Sequence, residues 1–304
     1  TDTVANQFTY GVANNWFIYD VELSRNSSNG IRISDNCTVY RCTSYGHTVT
    51  GIGGDRNRGG LIHTCTLEAN GLNPATGANQ NGANAKFTWI NSAEGYTEVV
   101  PLAAQRPKAQ MVVANCTFNA TRSGIVGTCD IGLWFDLDVQ NTRVYDSTFN
   151  GHTTTSIFWE GSNDGLAQGN TINNSDGFGP AYNGDFSNAG ICCGESTNIT
   201  FRNNTVIDCT YAMMNRMSNR TSDWVNSNNS GFVNYAWPPG SGGVRYWITL
   251  GTPSPIPGIT DRSNVWTGNN VYEGNTLVNC GRVVVNEGTD TAGQTVHGTT
   301  DLNS

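Results

Sequence analysis

Residues 144–149 read Val144-Tyr145-Asp146-Ser147-Thr148-Phe149, and the chain says nearly the same thing elsewhere: Val113-Ala114-Asn115-Cys116-Thr117-Phe118, then Ala167-Gln168-Gly169-Asn170-Thr171-Ile172. The shared centre is a small residue, a threonine and an apolar residue. It recurs at Cys42-Thr43, Cys65-Thr66-Leu67, Asn204-Thr205-Val206 and Asn275-Thr276-Leu277, with Asp20-Val21-Glu22-Leu23 as a weaker first copy. From Thr43 onward the threonines stand 23, 51, 31, 23, 34 and 71 residues apart. The shortest step is one repeat, and the longer ones are one repeat plus an insertion, or two repeats. Self-similarity at such a period marks a solenoid.

Two apolar columns flank the threonine. Four residues earlier stand Val39, Ile62, Val113, Val144, Ala167, Phe201 and Tyr272; one residue later stand Leu67, Phe118, Phe149, Ile172, Val206 and Leu277, with Ser44 the exception. Strict strand alternation does not produce this spacing. A short strand, a sharp bend at the small residue and a second short strand do. A coil of this length with such bends is the unit of a right-handed parallel β-helix, an all-β single-stranded solenoid whose coils stack at about 4.8 Å. Down the stack the bend column reads Cys42, Cys65, Cys116, Ser147, Asn170, Asn204, Asn275. Small polar residues there can hydrogen-bond one another and the backbone as a ladder, with cysteine replacing asparagine as a small buried side chain. A Cys42–Cys65 disulfide is the alternative to reduced packing. Cys209 and Cys280 each follow their threonine by four residues and share a column too.

Composition agrees with many short strands. Of 304 residues, 36 are Gly and only 13% are charged, and turn formers are abundant. The net charge of −8 speaks against nucleic acid, which calls for a basic surface. No apolar run approaches the roughly 20 residues of a membrane-spanning helix. The chain begins at Thr1 without a methionine and reads as a processed product or part of a longer polypeptide. Nine cysteines leave at least one unpaired, and no Cys-x-x-Cys pair suggests a zinc ribbon. Nine Asn-x-Ser/Thr sequons, among them Asn36, Asn115, Asn198 and Asn219, permit glycosylation in a secretory context.

The whole chain, residues 1–304, reads as one β-helix domain with insertions near 70–110, 175–188 and 214–262. Loops of that length are often functional. The last carries Trp224, Trp237, Trp247 and the stretch Pro253–Pro257, whose aromatic rings either stack on sugar rings or cap the outer sheet.

Chemistry gathers in another column. Asp55 and Glu160 lie 11 residues before their threonines, Asp136 lies 12, and Asp138 and Glu195 lie 10. Acidic residues thus return to nearly one edge of the solenoid, about 5 Å apart when stacked. Like charges so close call for protonation of one or for a cation between them. Three uses fit: a Ca²⁺ site on Asp136, Asp138 and Glu160, a glycosidase carboxylate pair, or a polysaccharide lyase. The plainer alternative is that Asp136 and Glu160 accept backbone hydrogen bonds at a turn. Trp134 and Trp159 lie beside them and, with Asp55 and Glu195, are candidates for substrate contact.

The runs GLWFDLD, SIFWEGSNDGLAQGNTI and AGICCGESTNITFRNNTV resemble a widespread group of secreted bacterial right-handed parallel β-helix proteins. Its members show Gly-Leu-Trp-x-Asp-x-Asp, then Gly-Ile-x-x-Glu-x-Ser one coil later, then Ala-Gly-Ile, after a long loop with a Lys-Phe pair that Lys86-Phe87 matches. The resemblance spans about residues 10–210, with Ser156 and Gly161 departing from it. The group is largely without assigned activity and is similar to carbohydrate-active β-helix enzymes in fold only, which does not establish function. The resemblance implies that Lys86 comes over the face of Asp136, Asp138 and Glu160, either as a proton-abstracting base or as a salt-bridge partner. Polygalacturonase and pectate-lyase signatures are absent.

Two functions follow as expectations. One is an extracellular or cell-surface β-helix that binds, and by lyase or hydrolase chemistry cleaves, a polysaccharide through Asp136, Asp138, Glu160 and Lys86. The other is a non-catalytic adhesin, filament or sheath component, since an open solenoid end is an unpaired sheet edge that invites end-to-end or lateral self-association.

Overall fold

The structure, a computed structural model, describes residues 15–33, 35–55, 59–73, 76–78, 82–88, 111–136, 139, 141–160, 162–174, 189–194, 196–217, 232–233, 248–249, 270–280, 282–289 and 295–299. It is a parallel β-helix. Three long sheets run the length of the stack, and among the described residues there is no helix, so none that is long and apolar enough to cross a membrane.

The second sheet is the repeated phrase itself. Its strands are Glu22–Ser24, Thr43–Tyr45, Thr66–Glu68, Thr117–Asn119, Thr148–Asn150, Thr171–Asn173, Thr205–Ile207 and Thr276–Val278. Every threonine pairs with the next in parallel register, and Glu22 pairs with Thr43. Each step, including those of 51 and 71 residues, is therefore a single coil carrying an insertion. The first sheet precedes it around the coil, with strands such as Cys37–Tyr40, Gly60–His63, Met111–Ala114 and Arg143–Tyr145. The third sheet follows it and contains Thr50–Asp55, Ala83–Thr88, Ile131–Asp136, Thr155–Glu160, Ala189–Gly194, Tyr211–Met217 and Arg282–Thr289. Two boundaries shift accordingly. Ala83–Thr88 lies within the span expected to be a loop, and Tyr211–Met217 runs past the expected start of the last insertion; both strands are rungs of the third sheet.

The two apolar columns fill the interior. Val39, Ile62, Val113, Val144, Ala167 and Phe201 face Leu67, Phe118, Phe149, Ile172 and Val206, all fully buried. Each valine, leucine, isoleucine or phenylalanine among them contributes roughly 1.5–3 kcal/mol of burial. Phe118 and Phe149 stack with centroids 4.5 Å apart and planes at 5°, because register places them directly over each other. Ser44, the exception, is also buried and donates its hydroxyl to Gly51 O at 2.9 Å.

The bend between the first two sheets explains the small residue. The residue before it is left-handed in every coil: Asp20, Arg41, Thr64, Asn115, Asp146, Gly169, Asn203 and Gly274 have φ between 46° and 70°. Asparagine, aspartate and glycine suit that conformation. Asparagine in this position followed by a small residue and threonine spells a sequon, as at Asn115 and Asn203, so those sequons arise from the turn.

The small side chains then form the ladder. Cys42 N–H donates to Cys65 Sγ, Cys65 N–H to Cys116 Sγ, Cys116 N–H to Ser147 Oγ, Ser147 N–H to Asn170 Oδ1, Asn170 N–H to Asn204 Oδ1 and Asn204 N–H to Asn275 Oδ1, over 2.9–3.5 Å. The Asn170 amide also donates to Val144 O, and the Cys65 and Cys116 thiols donate to the equivalent carbonyls of Val39 and Ile62. Cysteine thus performs both hydrogen-bonding tasks of asparagine. None of the nine cysteines is in a disulfide.

A second ladder runs through the corner between the second and third sheets. His47 N–H donates to Asn70 Oδ1, Asn70 N–H donates to Asn84 Oδ1, and Asn84 Nδ2 lies 3.1 Å from His152 Nε2. His152 Nδ1 lies 3.3 Å from Ser156 Oγ. All five side chains are fully buried. Burial pushes His47 down to about 4 and His152 down to about 3, so both imidazoles are neutral at pH 7.

Candidate functional site

The third sheet is buried on both faces: Ile131–Asp136 and Thr155–Glu160 have every residue buried. Leu133, Phe135, Ile157 and Trp159 belong to the interior core, whereas Trp134 and Phe158 belong to a separate outer cluster with Ile131, Cys192 and Met214. Alternation along a strand then sends Asp136 and Glu160 outward with Trp134 and Phe158.

Register aligns the outer rows. Lys86 pairs with Trp134, and Trp134 with Phe158. Two residues further along, Asp55 pairs with Thr88, Thr88 with Asp136, Asp136 with Glu160, and Glu160 with Gly194. Asp55, Asp136 and Glu160 therefore do share one column, with Thr88 separating Asp55 from the other two. Asp136 and Glu160 are direct neighbours on adjacent strands. Glu195 follows Gly194, which takes the column position. Glu195, Asp138 and the tryptophans Trp224, Trp237 and Trp247 lie outside the described residues.

The two carboxylates are held differently. Lys86 Nζ lies 2.9 Å from Asp136 Oδ2 and 3.3 Å from the centroid of the Trp134 ring. Trp134 Nε1 donates to Glu160 Oε2 at 2.9 Å. Trp134 is thus the hinge of the group: its face carries the ammonium and its edge binds the second carboxylate. Asp136 is 8% exposed and Glu160 4%, which makes water a minor partner for either. A lysine of the same sheet thus sets a positive charge beside the acidic column. Among the described residues no group of three or more His, Cys, Asp and Glu is placed to hold a metal.

Trp159 is a correction to the expected substrate contacts. It is fully buried inside the helix between Phe135 and Phe201, with Nε1 donating to Thr142 Oγ1 at 2.8 Å. Trp134 and Trp159 stand at successive positions of paired strands, and Trp159 pairs with Phe135, so alternation turns them to opposite faces. Reading the sequence also missed the indole bond to Glu160. The repeat hides it: Trp134 lies 14 residues before Thr148 and Glu160 lies 11 before Thr171, so the threonine alignment sets them on opposite parities and only the strand pairing puts both on the outer face.

A buried ion pair is a poor device for stability alone, since well-packed apolar replacements are often neutral or stabilising. Its retention on an otherwise apolar face is the feature to explain. Comparison with protein-family models, curated proteins and solved structures gives no match to this chain, so a function has to be argued from this group.

Proposed function

We propose that this chain is an extracellular β-helix that binds a polysaccharide along the outer edge of the third sheet and hydrolyses it at Asp136 and Glu160. The observation that carries the reading is the pair itself: two carboxylates on register-paired strands, each with a different partner. Strand spacing sets such neighbours about 5 Å apart, the separation associated with retaining glycosidases. Unequal settings are how paired carboxylates divide their work. Asp136 faces a cation and suits the nucleophile, while Glu160 faces a neutral N–H and suits the proton donor. Lys86 is engaged by Asp136 and the indole face, which favours hydrolysis over lyase chemistry with Lys86 as base, and supplies the positive charge otherwise assigned to calcium.

The test is turnover on neutral and uronate-containing polysaccharides, with and without chelator. Asp136→Asn and Glu160→Gln variants that melt as the parent does should each lose at least about 100-fold in rate. An unsaturated product would point to a lyase instead. A second reading, a non-catalytic surface or filament component, is favoured by one observation: both carboxylates already have partners within the chain. No turnover on any polymer, with filaments visible by microscopy, would establish that reading in place of the first.

A further inference from the structure

Two thiols lie one above the other where the second sheet turns into the third. Thr205 pairs with Thr276 and Ile207 with Val278, and Cys209 and Cys280 each stand two residues past the last of these pairs. The intervening residues, Asp208 and Asn279, both have φ of 53°, and Asp208 N–H donates to Val278 O at 2.9 Å. The two chains therefore make the same turn one coil apart. Strand spacing of about 4.8 Å lies inside the Cα separation of about 4.4–6.8 Å that a disulfide spans. The Cys280 thiol reaches back to Val206 O at 3.4 Å, into the coil that holds Cys209.

Their settings are unequal. Cys209 is buried, whereas Cys280 is partly open to solvent. The three stacked thiols of the bend column differ from this pair: Cys42, Cys65 and Cys116 are all buried, and Cys65 and Cys116 each accept a backbone N–H from the coil before. They are within reach of one another, but no oxidant can reach them without opening the coil.

We propose that Cys209 and Cys280 are a disulfide-forming pair in which Cys280 is the attacking thiol. The neighbouring Cys209 side chain holds the Cys280 thiol below its usual range, which raises its thiolate fraction. A small-molecule disulfide is the oxidant. Cys280 thiolate attacks one of its sulfurs, the small S–S bond breaks, one small thiolate leaves, and a mixed disulfide remains on Cys280. Cys209 then gives its proton to solvent, attacks the Cys280 sulfur and expels the second small thiolate. Two protein thiols are oxidised and one small disulfide is reduced to two thiols. The bond would tie the coil of Thr276–Val278 to its neighbour across the longest step of the chain.

The experiment treats the folded chain with oxidised glutathione, quenches with acid, then alkylates under denaturing conditions and maps peptides without reduction. Expected are seven alkylated cysteines and one peptide linking Cys209 to Cys280. In Cys209→Ser the glutathione adduct should persist on Cys280; in Cys280→Ser neither adduct nor link should form. Nine alkylated cysteines, a link between other cysteines, or a lasting adduct on Cys280 in the parent chain would each overturn the proposal.

Discussion

Lys86 Nζ sits 2.9 Å from Asp136 Oδ2 across two adjacent strands, on the face of Trp134, whose indole N–H holds Glu160. One lysine therefore neutralises a column in which two carboxylates are neighbours. Removing it leaves both with less compensation in a site where they are largely shielded from water.

Lys86→Met should destabilise the fold by about 3 kcal/mol, the cost of leaving a buried charge without its partner. Lys86→Met combined with Asp136→Leu should recover most of that loss. Urea unfolding of the two single variants and the double variant measures the coupling between them; additive losses would show that the pair does not interact.

Trp159→Ala should cost about 3–5 kcal/mol, since it empties a fully packed interior site, while Trp159→Phe should cost about 1–2 kcal/mol by leaving Thr142 Oγ1 without its indole donor. Thermal melting distinguishes these values from the small change expected of a surface tryptophan. A near-neutral Trp159→Ala would place that ring outside the core.

Cys116→Ser should be close to neutral, because a hydroxyl can accept from Cys65 N–H and donate as the thiol does. Cys116→Val matches its bulk but removes the acceptor, and should cost about 1–3 kcal/mol for the buried N–H left unmade. Comparing the two variants by chemical denaturation separates hydrogen bonding from packing.

Thr64 is a β-branched residue at φ 56° in an exposed left-handed corner where Asn115 and Asn203 stand in other coils. Thr64→Asn should stabilise by about 1 kcal/mol through relief of that conformation. A rise in melting temperature is the expected readout.

Acid should weaken the fold through the second ladder. His47 and His152 are held down to about 4 and about 3 by burial, against about 6.5 in the unfolded chain. Below about pH 6.5 the unfolded state binds protons that the folded state refuses, so stability present above that pH is lost progressively as pH falls toward 4 and 3. Asp130, raised by burial, acts in the opposite sense near its own titration. Proton uptake on unfolding, measured from urea midpoints between pH 6.5 and 4, should approach one less in His152→Gln than in the parent. Equal uptake in both would show that His152 is not buried neutral.

Much of the candidate site was legible in advance. Aligning the coils on threonine brings Asp55, Asp136 and Glu160 to nearly one edge, at 11, 12 and 11 residues before their threonines, and strand pairing sets them in one column. The alignment did not reveal that Thr88 separates Asp55 from the pair, because Ala83–Thr88 lacks the repeated phrase and sits inside a long step. Nor did it reveal the polar corner: His47, Asn70 and His152 each follow their threonine by four residues, the column of Cys209 and Cys280, but Asn84, which joins them, enters from the strand Ala83–Thr88 inside the long step.

By itself the sequence determined which residues of the first two sheets lie above which along the stack: a repeated bend and threonine carry register from coil to coil, since each coil bonds mainly to its neighbours. The tertiary structure alone decided which way the third-sheet side chains face, and hence that Trp134 serves the carboxylates while Trp159 fills the core. That sheet is buried on both sides, so its strands read as continuous apolar runs with no alternation to reveal parity. The same holds for the 51- and 71-residue steps, which became single coils only once strand pairing was known, because an insertion changes the count along the chain and leaves the backbone hydrogen bonds between coils intact.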